Sequence, residues 1–165
     1  MSNNPPVARL PKPNGLQLIR SLVGGTVGIS LIAWLSNFTE YEWLMAPFGA
    51  TCVLLFAIPD APLAQPRNVI GGHLIAAFVG LLFFQFGWDS SFGMGLAVGL
   101  AIALMMATQT IHPPAGANPI VVLLSAKMGW SFLFFPVLIG AAALVLVAIV
   151  VNNIGRPVRW PRYWW

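Results

Sequence analysis

The chain has 165 residues, 58% of them hydrophobic and 7% charged, with a formal net charge of +4. Soluble domains carry about 25% charged residues, so this composition cannot surround a core with a solvated surface. A mean hydropathy of +0.83 puts the chain in the membrane class, and its thinly spread basic residues give no stripe for nucleic-acid binding.

Residues 1–15 are polar and hold Pro5, Pro6, Pro11 and Pro13, which predicts an irregular cytoplasmic tail. Residues 16–35 form the first apolar run. It is too long for a signal core and no cleavage site follows it, so it should stay as an anchor. The second run, 44–58, is short and contains Pro47 and Gly49. It also holds Cys52, the only cysteine, which rules out an intrachain disulfide and reads as a small packed residue. The third run covers 68–86 and carries His73. The fourth covers 92–111, with Gly95, Gly99, Ala103 and Ala107 at every fourth position. That spacing allows close helix packing. If the helix continues, Thr108 and Gln109 share a face with His112. The fifth run, 114–126, is short again. The sixth covers 132–152, and Asn152 and Asn153 read as its stop. The end of the chain combines Arg156, Arg159 and Arg162 with Trp160, Tyr163, Trp164 and Trp165. This predicts an interfacial anchor on the cytoplasmic leaflet.

The two short runs reach only ~20 Å as helices, against a hydrocarbon core of ~30 Å. They are therefore half-helices reached by extended chain, or re-entrant segments. Charge favours the first. If all six segments cross, Lys127 alone among the basic residues lies outside; if the short ones re-enter, Arg67 joins it. Both arrangements put both termini in the cytoplasm.

The short runs also match each other. Pro47-Phe48-Gly49-Ala50-Thr51 aligns with Pro114-Ala115-Gly116-Ala117-Asn118, and each short run lies between two long ones. The predicted fold is all-α: four long transmembrane helices and two short half-helices. They form two three-segment repeats, 16–87 and 91–153, inverted relative to each other. The transmembrane domain spans 16–153, and an interfacial tail spans 154–165. Paired broken helices of this kind form midplane sites in many transporters. Two helix starts carrying unpaired N–H groups would suit a small anion. Capped kinks without a ligand are the alternative.

Ionisable residues inside membrane segments are functional candidates. His112 follows the fourth segment. His73 stands beside Gly71 and Gly72, so it should face other helices. Either can hydrogen-bond an anion or exchange a proton; either can instead satisfy freed backbone carbonyls. Arg67 and Asn68 suit an anion entrance or the interface. There is no embedded carboxylate pair, no nucleophile triad and no carboxylate partner for a His-based metal site, so neither an enzyme nor a resident metal or cofactor is expected.

The stretch Ile111-His112-Pro113-Pro114-Ala115-Gly116-Ala117 resembles the signature of the HPP family of integral membrane proteins. So do Pro47-Phe48-Gly49-Ala50, Pro62-Leu63-Ala64-Gln65-Pro66-Arg67-Asn68, Gly71-Gly72-His73 and Asn152-Asn153 with the aromatic tail. The resemblance runs from about residue 16 to the end. It implies four spanning helices and nitrite as substrate. It further implies Gly49, Ala50, Thr51, His112, Gly116, Ala117 and Asn118 as substrate-binding positions. Arg67, Asn68, His73 and Gln109 would form a second shell or entrance. A bacterial inner membrane is the expected location, a homo-oligomer a plausible assembly. A passive anion channel and a membrane scaffold or sensor stay open beside the transporter.

Overall fold

The computed structural model describes residues 11–39, 42–125 and 127–165. The expected tail lies largely outside these residues, as do Glu40, Tyr41 and Ala126. Among the described residues there are six α-helices and no strand. They are α1 (Gly15–Leu35), α2 (Ala46–Ala57), α3 (Pro66–Gln85), α4 (Ser91–Ala107), α5 (Asn118–Leu123) and α6 (Ile139–Asn153). A 3-10 segment, Pro113–Ala117, leads into α5, and irregular helical turns from Trp130 to Leu138 lead into α6.

Four of these helix starts have a local cause. Asn14 caps α1 in a capping box, accepting from the Gln17 N–H at 2.9 Å while Gln17 accepts from the Asn14 N–H at 2.7 Å. Pro opens α2 and α3 at positions where its missing N–H costs nothing. Ser90 accepts from the Gly93 N–H and caps α4.

Three stretches are long and apolar enough to cross a membrane: Gly15–Phe38, Pro66–Gln85 and Trp130–Asn153. The fourth expected long helix falls short of that set. It has 17 residues and ends at Ala107, not at 111. The cause is a left-handed residue, Gln109, at φ 56°. Thr110 N–H then bonds Met105 O at 2.9 Å and Gln109 N–H bonds Met106 O at 3.1 Å, closing the helix as a Schellman motif. Thr110 to His112 continue in non-helical chain. His112 therefore shares no helix face with Thr108 and Gln109.

α3 is the spine. On one side it packs with α6, and α1 and α2 complete that core around Ile32, Phe48, Leu55, Val69, Leu81 and Leu144. On the other it packs with α4 and the 113–123 segment around Ala76, Val79, Phe83, Ala97, Ala101 and Leu123. The close approach of α5 to α3 depends on Gly80, where a Cβ would stand 2.8 Å from Pro119 Cα. Cys52 is buried, as expected of a packed residue. Large apolar side chains such as Leu22, Val53, Phe92 and Val150 point outward, as lipid-facing residues must.

The small-residue stripe of α4 faces the other way from the one expected to pack. The buried line is Gly93, Ala97, Ala101 and Met105. Gly95, Gly99, Ala103 and Ala107 lie on the exposed side, and a Cβ on Gly95 or Gly99 would meet nothing within 4 Å. Both lines repeat every four residues, so periodicity alone does not say which faces inward.

One end of the bundle carries a strap. Trp160 is 2% exposed, and its indole N–H donates to Pro59 O at 2.9 Å. Arg156 and Arg162 pair with Asp60. Gln65, fully buried, donates to Pro59 O and Ala61 O and accepts from the Arg162 N–H. Tyr163 hydroxyl donates to Pro62 O at 3.2 Å. Asn153 brackets Trp160 through both its N–H and its O. The tail expected to lie as an interfacial anchor thus also folds onto the 59–65 loop. The reason is backbone supply: that turn presents carbonyls, and the tail brings the donors.

Candidate functional site

Four buried polar side chains converge where α2, α3 and the 113–118 segment meet. They are Thr51, His73, His112 and Asn118, each at most 1% exposed. Thr51 Oγ1 lies 2.8 Å from His73 Nε2 and 2.9 Å from His112 Nε2. It also donates to Pro47 O at 2.9 Å. Asn118 Nδ2 reaches both His73 Nδ1 and His73 O at 3.0 Å. His112 Nδ1 meets Leu63 O at 2.8 Å. The two imidazole centroids are 5.1 Å apart, and Phe48 stands edge-on to His73 at 5.2 Å.

Backbone carbonyls fix the protons. Leu63 O can only accept, so His112 carries a proton on Nδ1 and its Nε2 is free to accept. His73 O can only accept, so the Asn118 amide nitrogen must face it. That same nitrogen meets His73 Nδ1, which therefore accepts, and His73 carries its proton on Nε2. His73 accordingly donates to Thr51. The threonine hydroxyl has one proton and two acceptors at equal distance, His112 Nε2 and Pro47 O. Asn118 Oδ1 is buried and has no hydrogen-bond partner among the described residues.

The local chain explains how His112 gets there. Gly72 lets 110–112 lie against α3: a Cβ would stand 2.7 Å from His112 Cβ and 2.9 Å from Thr110 O. Asn68 then donates to Ile111 O at 2.9 Å, and Arg67 to Thr108 O at 2.9 Å. A guanidinium at the end of α4 complements the carbonyls left open there.

Beside the cluster is a cleft of about 490 Å³, lined by Ala46, Pro47, Ala50, Pro113, Pro114 and Ala117, with Leu54. Thr51 and Asn118 directly follow Ala50 and Ala117. The expected site residues thus divide into groups. Thr51, His73, His112 and Asn118 form the buried cluster. Ala50 and Ala117 line the cleft. Gly49 is exposed and Gly116 half-buried, and a Cβ on either would meet nothing within 4 Å. Arg67 and Asn68 brace the 108–111 chain. Gln109 is exposed, and its side chain takes no part in the cluster. The second short segment is also less regular than expected. Its α-helix has six residues and follows a 3-10 turn, too short to build an appreciable macrodipole. The buried hydrogen bonds of Gln65 and Asn152 were not anticipated, although Asn152 reads as a helix stop and α6 does end at Asn153. Asn152 is 1% exposed and donates to Leu55 O at 3.0 Å, tying α6 to the end of α2.

Comparison with known proteins agrees with an integral membrane chain. Two transmembrane proteins of Dictyostelium discoideum are each 35% identical to it. The matches cover 80% and 88% of this chain, and 54% and 50% of those proteins. The chain thus spans about half the length of the curated relatives it matches. No solved structure matches. The family model described as "HPP, transmembrane region" matches residues 10–161, nearly the whole sequence, and the chain belongs to the HPP transmembrane family.

Proposed function

We propose that this chain is a membrane transporter of small monovalent inorganic anions, nitrite first among them, with the cleft between the two short segments in its path. One observation carries the reading. Thr51 and Asn118 are matched positions of the two short segments, and they hold the two ring nitrogens of one buried histidine beside a shared cleft. Buried ionisable groups in a membrane chain are costly, and they persist where they line a path or pair with one another.

Contacts support an inverted arrangement of two three-segment repeats. Ser21 donates to Phe56 O and Asn152 to Leu55 O, joining the start of α1 and the end of α6 to the end of α2. Arg67 on Thr108 O and His112 on Leu63 O put the approach to the second short segment at that same end. Val122, near the end of α5, lies beside Gly80, well along α3. On this reading α2 runs toward the strapped end and the 113–123 segment away from it. All six segments then cross, and both termini are cytoplasmic in a bacterial inner membrane. The outward stripe of Gly95, Gly99 and Ala103 suits close contact with a second copy.

Nitrite as the substrate rests on the resemblance carried by residues 111–117. The cleft walls are apolar side chains, so donors must come from the start of α2 and from the cluster behind it. Uptake into proteoliposomes tests the reading. Native protein should admit nitrite faster than protein-free vesicles. His112→Ala, checked for folding by its gel-filtration profile, should lower the excess rate by about a hundredfold, the usual scale for losing one proton-handling group. A folded native protein that admits no nitrite refutes nitrite transport.

A further inference from the structure

We infer that His73, Thr51 and His112 form a proton relay between the cleft and the 58–65 loop, so that the anion and a proton travel together. This rests on the anion-transport reading and adds its coupling partner.

The proton positions assigned above run one way: Asn118 donates to His73, His73 to Thr51, Thr51 to His112 when its single proton is turned from Pro47 O, and His112 to Leu63 O. The distances are 3.0, 2.8, 2.9 and 2.8 Å. Such chains polarise cooperatively at low dielectric. The transfer balances without any further reagent. A proton from the cleft binds His73 Nδ1. The Nε2–H bond of His73 then breaks as a new O–H bond forms on Thr51. The original Thr51 O–H proton passes to His112 Nε2. His112, now an imidazolium, releases its Nδ1 proton past Leu63 O to bulk water at the strapped end. Pro47 O gives the threonine a second seat for its proton, at the same distance as His112. With the proton turned to Pro47, Thr51 can accept from a protonated His112. The hydroxyl therefore serves both the loaded and the empty state.

Asn118 is the valve. Its nitrogen occupies His73 Nδ1, and its buried oxygen is unpaired among the described residues. An unpaired buried acceptor costs about 1–3 kcal/mol, so this amide is the member of the chain least firmly held. Ala117, directly before it, lines the cleft. An anion there attracts the amide N–H groups, and their departure exposes His73 Nδ1 to a proton. Anion arrival and proton arrival become one event.

Among the described residues, no other ionisable side chain is positioned to replace these two. α4, α5, α6 and the 113–117 turn carry none. α2 carries only Cys52, next to Thr51, and α1 only Arg20. On α3, Arg67 is engaged at Thr108 O. In the loop, Asp60 is paired with Arg156 and Arg162, and in the strap Tyr163 hydroxyl bonds Pro62 O and Asn68 Oδ1. Arg159 lies in the same strap and Lys12 ahead of α1.

The test follows nitrite and protons together in proteoliposomes holding a pH-sensitive dye, with protein-free vesicles correcting for nitrous acid leakage. Native protein should bring in one proton per nitrite. Thr51→Ser keeps the hydroxyl and should keep that ratio. Thr51→Val keeps the volume, loses the hydroxyl and should lower proton entry by about a hundredfold. Nitrite entering without protons overturns the relay and leaves anion transport standing, as does unchanged proton entry in Thr51→Val. If folded native protein moves no nitrite, the transport reading fails, and imidazole nitrogen NMR of histidine-labelled protein decides the relay. It should show one histidine protonated on Nε2 and one on Nδ1, with Thr51→Val moving both Nε2 signals. Two histidines in the same tautomer, or no response to Thr51→Val, overturn it.

Discussion

Trp160→Ala should lower stability by about 3–5 kcal/mol, the cost of emptying a buried aromatic site. The indole is 2% exposed and lies at the strapped end, outside the membrane-spanning segments. Its removal leaves three losses together. The ring volume is vacated, Pro59 O loses a donor, and the bracket between Asn153 and residue 160 loses its anchor. Thermal unfolding in detergent reads this as a midpoint lower by roughly 10 °C, at about 2–4 °C per kcal/mol for a chain of this size. Trp160→Phe fills most of the volume and loses one hydrogen bond, so it should fall between native and alanine. Asp60→Asn offers a contrast. Asp60 is half exposed, and exposed ion pairs contribute about 0–1 kcal/mol. A Trp160→Ala midpoint equal to that of Asp60→Asn would mean that the strap lies on the bundle without holding it.

Gly72→Val should abolish transport, because it pushes His112 off α3. Even a single Cβ at 72 overlaps His112 Cβ and the Thr110 carbonyl. Neither neighbour can rotate away, since one is backbone and the other is a side-chain stem beside it. The 110–112 chain must therefore move outward, which takes His112 Nε2 out of reach of Thr51. Overpacking of this kind costs about 1–3 kcal/mol, which leaves the remaining bundle folded. Gly72→Ala should give the same defect in milder form. Gly25→Ala, on α1, is the control, because a Cβ there meets nothing within 4 Å. Nitrite flux and the histidine tautomer signals should be unchanged in Gly25→Ala and lost together in Gly72→Val. Native flux in a folded Gly72→Val protein would remove His112 from the path.

Much of this was legible because membrane segments announce themselves locally. Long apolar runs, Pro at helix starts and Gly at close approaches are all readable within a few residues. The matched positions Thr51 and Asn118 were visible for the same reason, and they meet at His73. What stayed hidden depends on distant partners or on backbone choice. Nothing around Gln109 demands a left-handed residue, since Gln seldom adopts that conformation. The end of α4 was therefore placed four residues late, and Gln109 was grouped with His112. Gln65 looked like an ordinary loop residue, because its partner Arg162 comes 97 positions later. The inward face of α4 was ambiguous for another reason: two small-residue lines at the same period fit the sequence equally well.

Thr51 and His112 stand 61 residues apart in the chain, and His73 and Asn118 stand 45 apart. During synthesis, α2 and α3 emerge well before the 108–118 stretch exists. Until it arrives, His73 lacks the donor on Nδ1 and Thr51 lacks one of its two acceptors. Polar groups left open in hydrocarbon cost several kcal/mol each. In the first half alone, His73 Nδ1 stands open, and Asn118 of the second half closes it. The contacts that build the site therefore also join the two halves into one cooperative unit, each completing the other's hydrogen bonds.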